Sequence, residues 1–466
     1  MVDRIYRRLA GATALHIPPD AALLLKGVDE WCFDVFALND TCKGQVLRCL
    51  SADLLNRYGL IHKFKIPSSN LENFLLQMEQ GYTKYSNPYH NNLHAADVTQ
   101  TVHYTLWATG LAQWLSDLEI FATLIAAIIH DYQHTGTTNN FHVMSGSDIT
   151  LVYNDRSVLE NYHISAAFKV MRESDSNILI NLSKEEYREF RTLVIDMVLA
   201  TDMSSHFQQI KTLKTLLGHT EFNIDKSKGL SYLLHSSDIS HPSKSFNLHY
   251  KWTKLLMEEF FRQGDMEKEL GLPYSPLCDR NTTLIPQSQI GRRYYRVYFA
   301  NYSPLIPLYS FYRLHSRADN GIVWRSRRSS FIDFIVGPTM ELCGDLVDRV
   351  IKHINGSQEV TDKKDSDIHL ELKTRIKSSS ASMRSTQRNN LSLDSGTDST
   401  NLRSSSSAPL ASRSPVTVIK CSKMHRPWLQ CLEDNKNNWQ ERAAEDSIKS
   451  EQKHRGSGDS TPESEL

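Results

Sequence analysis

The sequence predicts an all-α fold, and three observations carry that prediction. Apolar residues recur at three- and four-residue spacing along most of the first 350 residues. Two capping boxes, Ser116-Asp-Leu-Glu119 and Ser183-x-x-Glu186, mark helix starts, because serine and glutamate satisfy each other's free backbone N–H groups. No segment of useful length alternates with the period of a strand, and no internal repeat is visible. With 40% hydrophobic and 23% charged residues among 466, the chain can bury a sizeable core, and its length alone suggests about three domains.

Taken in order, a short helix follows Pro18-Pro19, then the aromatic group Trp31, Phe33 and Phe36. Val46, Leu47, Leu50, Leu54 and Leu55 give helical spacing from Lys43 to Tyr58, and Leu71 to Tyr82 repeats it. Pro88 permits a turn or a helix start, after which His90 and His94 lie one helical turn apart and can share a face. Ala95, Ala96, Val98 and Val102 continue that helix into packed surroundings, so His94 is expected to be partly buried. Ser116 to His130 is a buried helix. Ser157 to Arg172 is another, with Glu160 and His163 as polar candidates for its inner face. From the residues alone Glu160 reads equally well as a solvated carboxylate. The helix opened by Ser183 runs to Ala200 and leaves Asp202 at its end. Gly229 to His241, stopped by Pro242, carries Asp238 between His235 and His241. Residues 249–263 form a long amphipathic helix with Gly264 as its expected stop.

Beyond Gly291 the chain changes character. Residues 292–330 hold many Arg and Tyr, no Lys and one acid, Asp319, and read as an insertion. Such a segment suits nucleic acid or phospholipid headgroups, or is simply a loosely ordered loop, which the absence of basic character elsewhere favours. Apolar helical spacing resumes at Phe331. Residues 356–415 are Ser-rich and lack aromatics, so they bury too little to offset their ordering entropy and read as a disordered linker. Trp428, Leu429, Leu432 and Trp439 then predict a helix returning to the domain.

Bulk properties exclude several classes. Lys plus Arg and Asp plus Glu both number 53, so net charge is zero and no general pull toward nucleic acid or acidic membrane is expected. The seven Cys include no C-x-x-C pair, which argues for free thiols in a reducing compartment and against a disulfide scaffold or structural zinc site. The longest apolar stretch, Leu118 to Ile129, is too short to span a bilayer. The N-terminal arginines suggest a transit peptide, but Asp3 and the lack of a sustained apolar run argue against it, and a cytoplasmic protein is expected.

The chemistry concentrates in Ala126 to Asn140, A-A-I-I-H-D-Y-Q-H-T-G-T-T-N-N. Burying imidazoles and a carboxylate at the end of an apolar helix costs on the order of several kcal/mol unless compensated, and a metal ion is the simplest compensation. His130 and Asp131 can converge on one cation, with His134 nearby. His90/His94, Glu160 and Asp238 also sit on or at the ends of apolar helices. A His/Asp set without Cys suits zinc, manganese or magnesium. Two histidines and two carboxylates suffice for one tightly held ion and a second bridged through a shared carboxylate. Paired ions activate water and hold phosphoryl oxygens, so phosphate-ester hydrolysis is the chemistry suggested. The absence of G-x-x-x-x-G-K-[ST] argues against ATP-driven work.

Y-H-N-N-L-H-A-A-D-V, H-D-Y-Q-H-T-G-T-T-N-N, N-D-R-S-V-L-E-N, L-A-T-D-M-S, D-I-S-H-P, M-E-E-F-F-x-Q-G-D and S-P-L-C-D-R together resemble the class I 3′,5′-cyclic nucleotide phosphodiesterases, most of all the calcium/calmodulin-dependent (type 1) family. The resemblance covers roughly 28–291 and 331–355, with a weaker echo at 426–447. It implies a compact multi-helix HD-type catalytic domain that hydrolyses cyclic AMP and cyclic GMP with Zn2+ and Mg2+ (or Mn2+). It also implies roles. His94, His130, Asp131 and Asp238 hold zinc, and Asp131 bridges to the second ion. His134, Glu160 and Asp202 support the metal waters and the acid. His90 is the general acid, and Gln289 reads the purine edge. Tyr89, His90, Asp131, Asp238, His241 and Phe331 face the substrate.

The expected organisation is a lead-in at 1–27, a catalytic domain at 28–355 interrupted at 292–330, the linker, a C-terminal helix at 416–447 packing on the domain, and a disordered tail at 448–466. In the family Q-x-G is followed directly by F-I-D, whereas here the insertion separates Gln289 from Phe331. A catalytically impaired nucleotide-binding isoform is therefore the alternative, and an HD-type hydrolase of nucleoside triphosphates a third reading. Calmodulin is the partner implied by the family, yet the chain begins about where the calmodulin-binding region ends, leaving Arg4, Arg7 and Arg8 as its remnant. No nucleic acid and no membrane partner is expected.

Overall fold

Helix α7, Asp117–Ile129, is buried on every side except at Asp117, and the rest of the domain is arranged around it. A computed structural model describes residues 17–222, 224–290, 331–356 and 425–456, with side chains to residue 448 in the last stretch. All regular elements among the described residues are helical. Residues 1–350 and 425–466 form one compact unit, and 351–424 form another, of which 351–356 are described.

The helices of the first unit are α1 Pro19–Leu24, α2 Val35–Thr41, α3 Val46–Arg57, α4 Leu60–Lys63, α5 Ser68–Thr83, α6 Asn92–Ala108 and α7. There follow α8 Asn139–Ser145, α9 Asp148–Tyr153, α10 Val158–Arg172, α11 Lys184–Leu199, α12 His206–Gly218, α13 Lys226–Asp238, α14 Phe246–Glu269 and α15 Ile285–Ile290. A π-turn at Ile332–Val336 leads into α16 at 337–356, whose last turn belongs to the second unit, and α17 is Pro427–Gly456. The insertion at 292–330, linker residues 357–415 and the lead-in before residue 17 lie outside the described residues. Helix α17 starts later than the expected 416 and runs past 447.

Both capping boxes form. Ser116 N donates to Glu119 Oε2 at 2.7 Å and Glu119 N to Ser116 Oγ at 3.2 Å. Ser183 and Glu186 do the same at 2.9 and 3.1 Å. Each hydroxyl cap contributes about 1 kcal/mol. Helix α7 packs mainly against α6 and α11, and also touches α3, α10 and α13. Phe121, Leu124, Ile125, Ile128 and Ile129 are all fully buried, each side chain stabilising the fold by about 1.5–3 kcal/mol. This core fixes where α7 ends, and its end is where His130 emerges.

Two expectations fail for reasons of packing. Helix α14 does not stop at Gly264 but continues to Glu269. A Cβ at Gly264 would lie 1.9 Å from the Cys278 carbonyl oxygen, so glycine serves close backbone approach there rather than termination. His90, expected on the same helix face as His94, lies before the helix. Asn91 caps α6 by accepting Leu93 N at 2.9 Å, and His90 sits on the preceding turn.

Candidate active site

Three core helices end at one point. Near the start of α6 stands His94, just past the end of α7 stand His130 and Asp131, and the last residue of α13 is Asp238. His94 Nε2 lies 3.0 Å from Asp238 Oδ1, 3.2 Å from His130 Nε2 and 3.3 Å from Asp131 Oδ2. His130 Nε2 is 3.2 Å from Asp131 Oδ2 and 3.4 Å from Asp238 Oδ1. Donors about 2.1 Å from a common cation stand roughly 3.0 Å apart in octahedral and roughly 3.4 Å apart in tetrahedral geometry. These residues therefore fit a divalent metal. His130 Nδ1 donates to Ala127 O at 2.8 Å, so Nε2 presents its lone pair to the cluster. Burial of His94 and His130 without a cation would set two imidazole nitrogens against each other in a dry site.

The loop after α7 is shaped by backbone geometry. Gln133 takes φ 59° and Gly136 φ 76°. A Cβ at Gly136 would stand 2.6 Å from Asn87 Oδ1. Asn87 Nδ2 donates to His134 O at 2.6 Å and to His90 O at 2.9 Å, clasping the loops that carry both histidines. The His90 and His134 rings stack at 3.9 Å. His134 Nδ1 accepts Gly136 N at 3.0 Å, and burial, then the nearby His90, hold its imidazole neutral well below the usual range.

Glu259 on α14 orients His90. Its Oε2 accepts the backbone N–H groups of Tyr89 and His90, each at 2.9 Å, and its Oε1 pairs with His90 Nδ1. Burial alone pushes the His90 imidazole down, but the Glu259 carboxylate, with Asp131 and Asp238, more than reverses this and raises it to about 9. With Nδ1 held by Glu259, the His90 proton available for transfer is on Nε2.

Glu160 and Asp202 line the same cavity, along with Tyr89, His90, Asp131, His134, Asp238, His241 and Phe331. Asn139 Nδ2 donates to both Glu160 oxygens at 3.0 and 3.2 Å. Burial, and then the Asp202 carboxylate, push the Glu160 carboxyl up to about 8. Asp202 Oδ2 accepts Ser157 Oγ at 2.7 Å and Oδ1 accepts Ser204 N at 2.8 Å. A second cation with its water shell would find two carboxyl groups here, one of which gives up a proton to receive it.

Behind the cavity, His241 Nδ1 lies 3.1 Å from His249 Nδ1, and Trp439 Nε1 of α17 donates to His249 Nε2 at 2.7 Å. An indole only donates, so His249 carries its proton on Nδ1 and gives it to His241 Nδ1. His241 thereby keeps its own proton on Nε2. Burial holds both rings neutral, His249 at about 3.

His94 and His130 stand against Asp131 and Asp238, which line this cavity. Gln289 is the other predicted site residue absent from the lining. It is buried, its Nε2 donates to Ser288 Oγ at 3.1 Å, and its Oε1 has no partner among the described residues. Glu259, His249 and Trp439 are the residues that sequence reasoning passed over. The signal for Glu259 was present in M-E-E-F-F-x-Q-G-D. Glu259, Gln263 and Glu267 repeat every four residues along one face of α14, and all three are buried. Gln263 Oε1 accepts Thr138 N at 2.9 Å, so the same face also ties down the loop after α7.

The pattern of the family described as 3′5′-cyclic nucleotide phosphodiesterase matches residues 89–299. Dual specificity calcium/calmodulin-dependent 3′,5′-cyclic nucleotide phosphodiesterase 1 of Drosophila melanogaster is 47% identical over 453 residues, covering 96% of this chain and 49% of its own length. The 1C protein of Homo sapiens is 51% identical over 351 residues, covering 75% and 44%. The 1B protein of Rattus norvegicus is 44% identical over 443 residues, covering 95% and 69%. The chain thus spans about half the length of the first two of these relatives. Motif order, an all-helical domain, the His/Asp cluster and these identities lead to one conclusion: the chain belongs to the class I 3′,5′-cyclic nucleotide phosphodiesterase family, alongside its calcium/calmodulin-dependent type 1 members.

Proposed function

We propose that this chain hydrolyses cyclic AMP and cyclic GMP to 5′-nucleoside monophosphates. The observation that carries the reading is the convergence of four ligand atoms at 3.0–3.4 Å beside a histidine whose proton is held by a buried glutamate. His94, His130, Asp131 and Asp238 would hold Zn2+, and Asp131 would share a second ion, Mg2+ or Mn2+, with waters supported by His134, Glu160 and Asp202. When bound, the ions supply a water nucleophile at neutral pH and neutralise phosphoryl charge.

The chain's own residues do the rest. His90 holds a proton at Nε2, and Glu259 keeps the ring aimed and charged. As water adds to phosphorus and the P–O3′ bond breaks, His90 passes that proton to O3′. Tyr89 and His241 form the wall near the acid, His241 presenting an N–H donor. Phe331 offers a face for stacking on the purine, and Gln289, to which the family resemblance gives the purine's polar edge, would take that role only once its amide turns into the cavity. A cytosolic location belongs to this reading, supported by the free state of every cysteine among the described residues. No helix among the described residues is long and apolar enough to cross a membrane.

The test is turnover of both cyclic nucleotides by purified chain, with metal analysis. Magnesium-stimulated release of 5′-monophosphate, abolished by a chelator and accompanied by bound zinc, is the expected result. A chain that binds no zinc and turns over neither nucleotide overturns the reading. The names of the relatives include calmodulin dependence, and adding Ca2+/calmodulin to the same assay tests whether this chain shares it.

A further inference from the structure

On the side of the domain where α17 docks, the chain segment before α2 meets α17 directly. The Trp31 and Trp428 rings lie 5.2 Å apart, and Asn435 Nδ2 donates to Pro242 O at 2.8 Å and Lys244 O at 2.7 Å. Within this contact Cys32 Sγ stands 4.0 Å from Cys431 Sγ, although the two are 399 positions apart in the chain. Cys32 is exposed and Cys431 partly so.

We propose that Cys32 and Cys431 form a modification site, an intramolecular disulfide made by a hydroperoxide oxidant and reversed by thiols, which fastens α17 to the rest of the domain. Neither cysteine takes part in the catalytic reading, and the site stands without it. The sulfurs need to approach by about 2 Å from their 4.0 Å separation to reach bonding distance. The surroundings favour attack by Cys32. Its thiol is pulled down to about 6, first by the Cys431 thiol beside it, against the effect of burial, with the Ser245 N–H and the Lys244 ammonium adding to the pull. An exposed thiolate at neutral pH is the reactive form.

The step balances. The Cys32 thiolate attacks the peroxide, taking one oxygen as sulfenic acid and releasing water once a proton is supplied. The Cys431 thiol then attacks that sulfur, the S–S bond forms, and the oxygen leaves as a second water. Two thiols lose two electrons and hydrogen peroxide gains them.

Cys42 and Cys49 provide an internal contrast. They also lie together, but they are 4% and 2% exposed, so an aqueous oxidant does not reach them. Since α17 carries Trp439, fastening it also holds the donor that fixes His249 and His241.

The experiment uses the full chain, reduced, treated with stoichiometric hydrogen peroxide, alkylated and digested without reductant. Mass spectrometry is expected to find a Cys32–Cys431 cross-linked peptide that dithiothreitol dissolves. The melting temperature is expected to rise by about 5 °C, an effect lost in Cys431→Ser. Cys32 found as sulfinic acid beside a free Cys431 overturns the proposal, as do cross-links between chains only. A disulfide that forms without raising the melting temperature overturns the fastening role.

Discussion

At one end of the cavity, His94, His130, Asp131 and Asp238 project from the ends of α6, α7 and α13, which pack against one another in the core. At the other, Phe331 stands at the start of a π-turn and Gln289 near the end of the six-residue α15. The first group converges to within 3.4 Å along five of its donor–donor distances. In the second, Phe331 lines the cavity while the Gln289 amide oxygen is buried without a partner among the described residues. Core packing thus sets the positions of the groups proposed to break the bond. Those proposed to recognise the base rest on short elements flanking residues 291–330. Chemistry and recognition should separate under mutation.

The largest effect is expected at the metal end. His130→Ala should lower kcat by about a thousandfold or more and remove bound zinc, with the helical circular dichroism intact. Zinc retained with full turnover would break the comparison, because the cluster would then not be the chemical end. His90→Gln should cost about 10²–10⁴ in kcat while leaving zinc in place, since it removes only the proton donor.

Glu259→Gln sharpens the same end through pH. In the proposed reaction His90 acts as an acid, so activity should be present below its pKa and be lost as pH rises through it. Glu259 raises that pKa, so the variant's alkaline limb should move to lower pH, with kcat at neutral pH down about 10–100-fold and zinc unchanged. An unshifted limb would mean that Glu259 serves only the backbone N–H groups of Tyr89 and His90.

The legibility of the sequence follows the same division. Helices capped by Ser116 and Ser183 were readable because a cap and its partner are three residues apart, within one turn. The grouping of His94, His130, Asp131 and Asp238 was readable because each polar residue interrupts an apolar helical run that must be buried. Gly264 misled, since glycine in a helix serves termination and close approach alike, and only the Cys278 carbonyl distinguishes them. His249 and Trp439 were not legible as a pair. Their hydrogen bond joins positions 190 residues apart, and no local pattern encodes it. Gln289 was assigned from its motif, and a motif fixes neighbours in sequence rather than the direction in which an amide points.

At the recognition end, a double comparison tests whether Gln289 is engaged. In the full chain Gln289→Ala should change KM less than about threefold, because its amide does not line the cavity. In a chain lacking residues 292–330, where Gln289-Ile-Gly291 runs directly into Phe331, the same substitution should raise KM about tenfold, the equivalent of one hydrogen bond of roughly 1.4 kcal/mol. Deletion alone should lower KM and leave kcat within a few-fold. A kcat that appears only after deletion would show that the two ends do not separate, and that residues 292–330 act on the chemistry as well.

The smallest effect should come from a residue that does not line the cavity. Trp439→Phe keeps an aromatic ring against Phe246 and Tyr250 but removes the N–H that makes His249 Nε2 an acceptor. The His249–His241 pair can then reverse its proton order, so that His241 Nε2 turns from donor to acceptor. Stability should fall by about 1 kcal/mol. KM for the two cyclic nucleotides should change by about two- to fivefold and unequally, because a reversed donor alters whatever polar edge faces His241. Zinc content and the pH profile should not move. Equal changes for both nucleotides would place the effect in the docking of α17 rather than in the proton order of the histidines. Trp439→Phe combined with His249→Gln separates these outcomes, since a glutamine in place of His249 supplies either donor or acceptor and removes the tautomer from the problem while α17 keeps its other contacts.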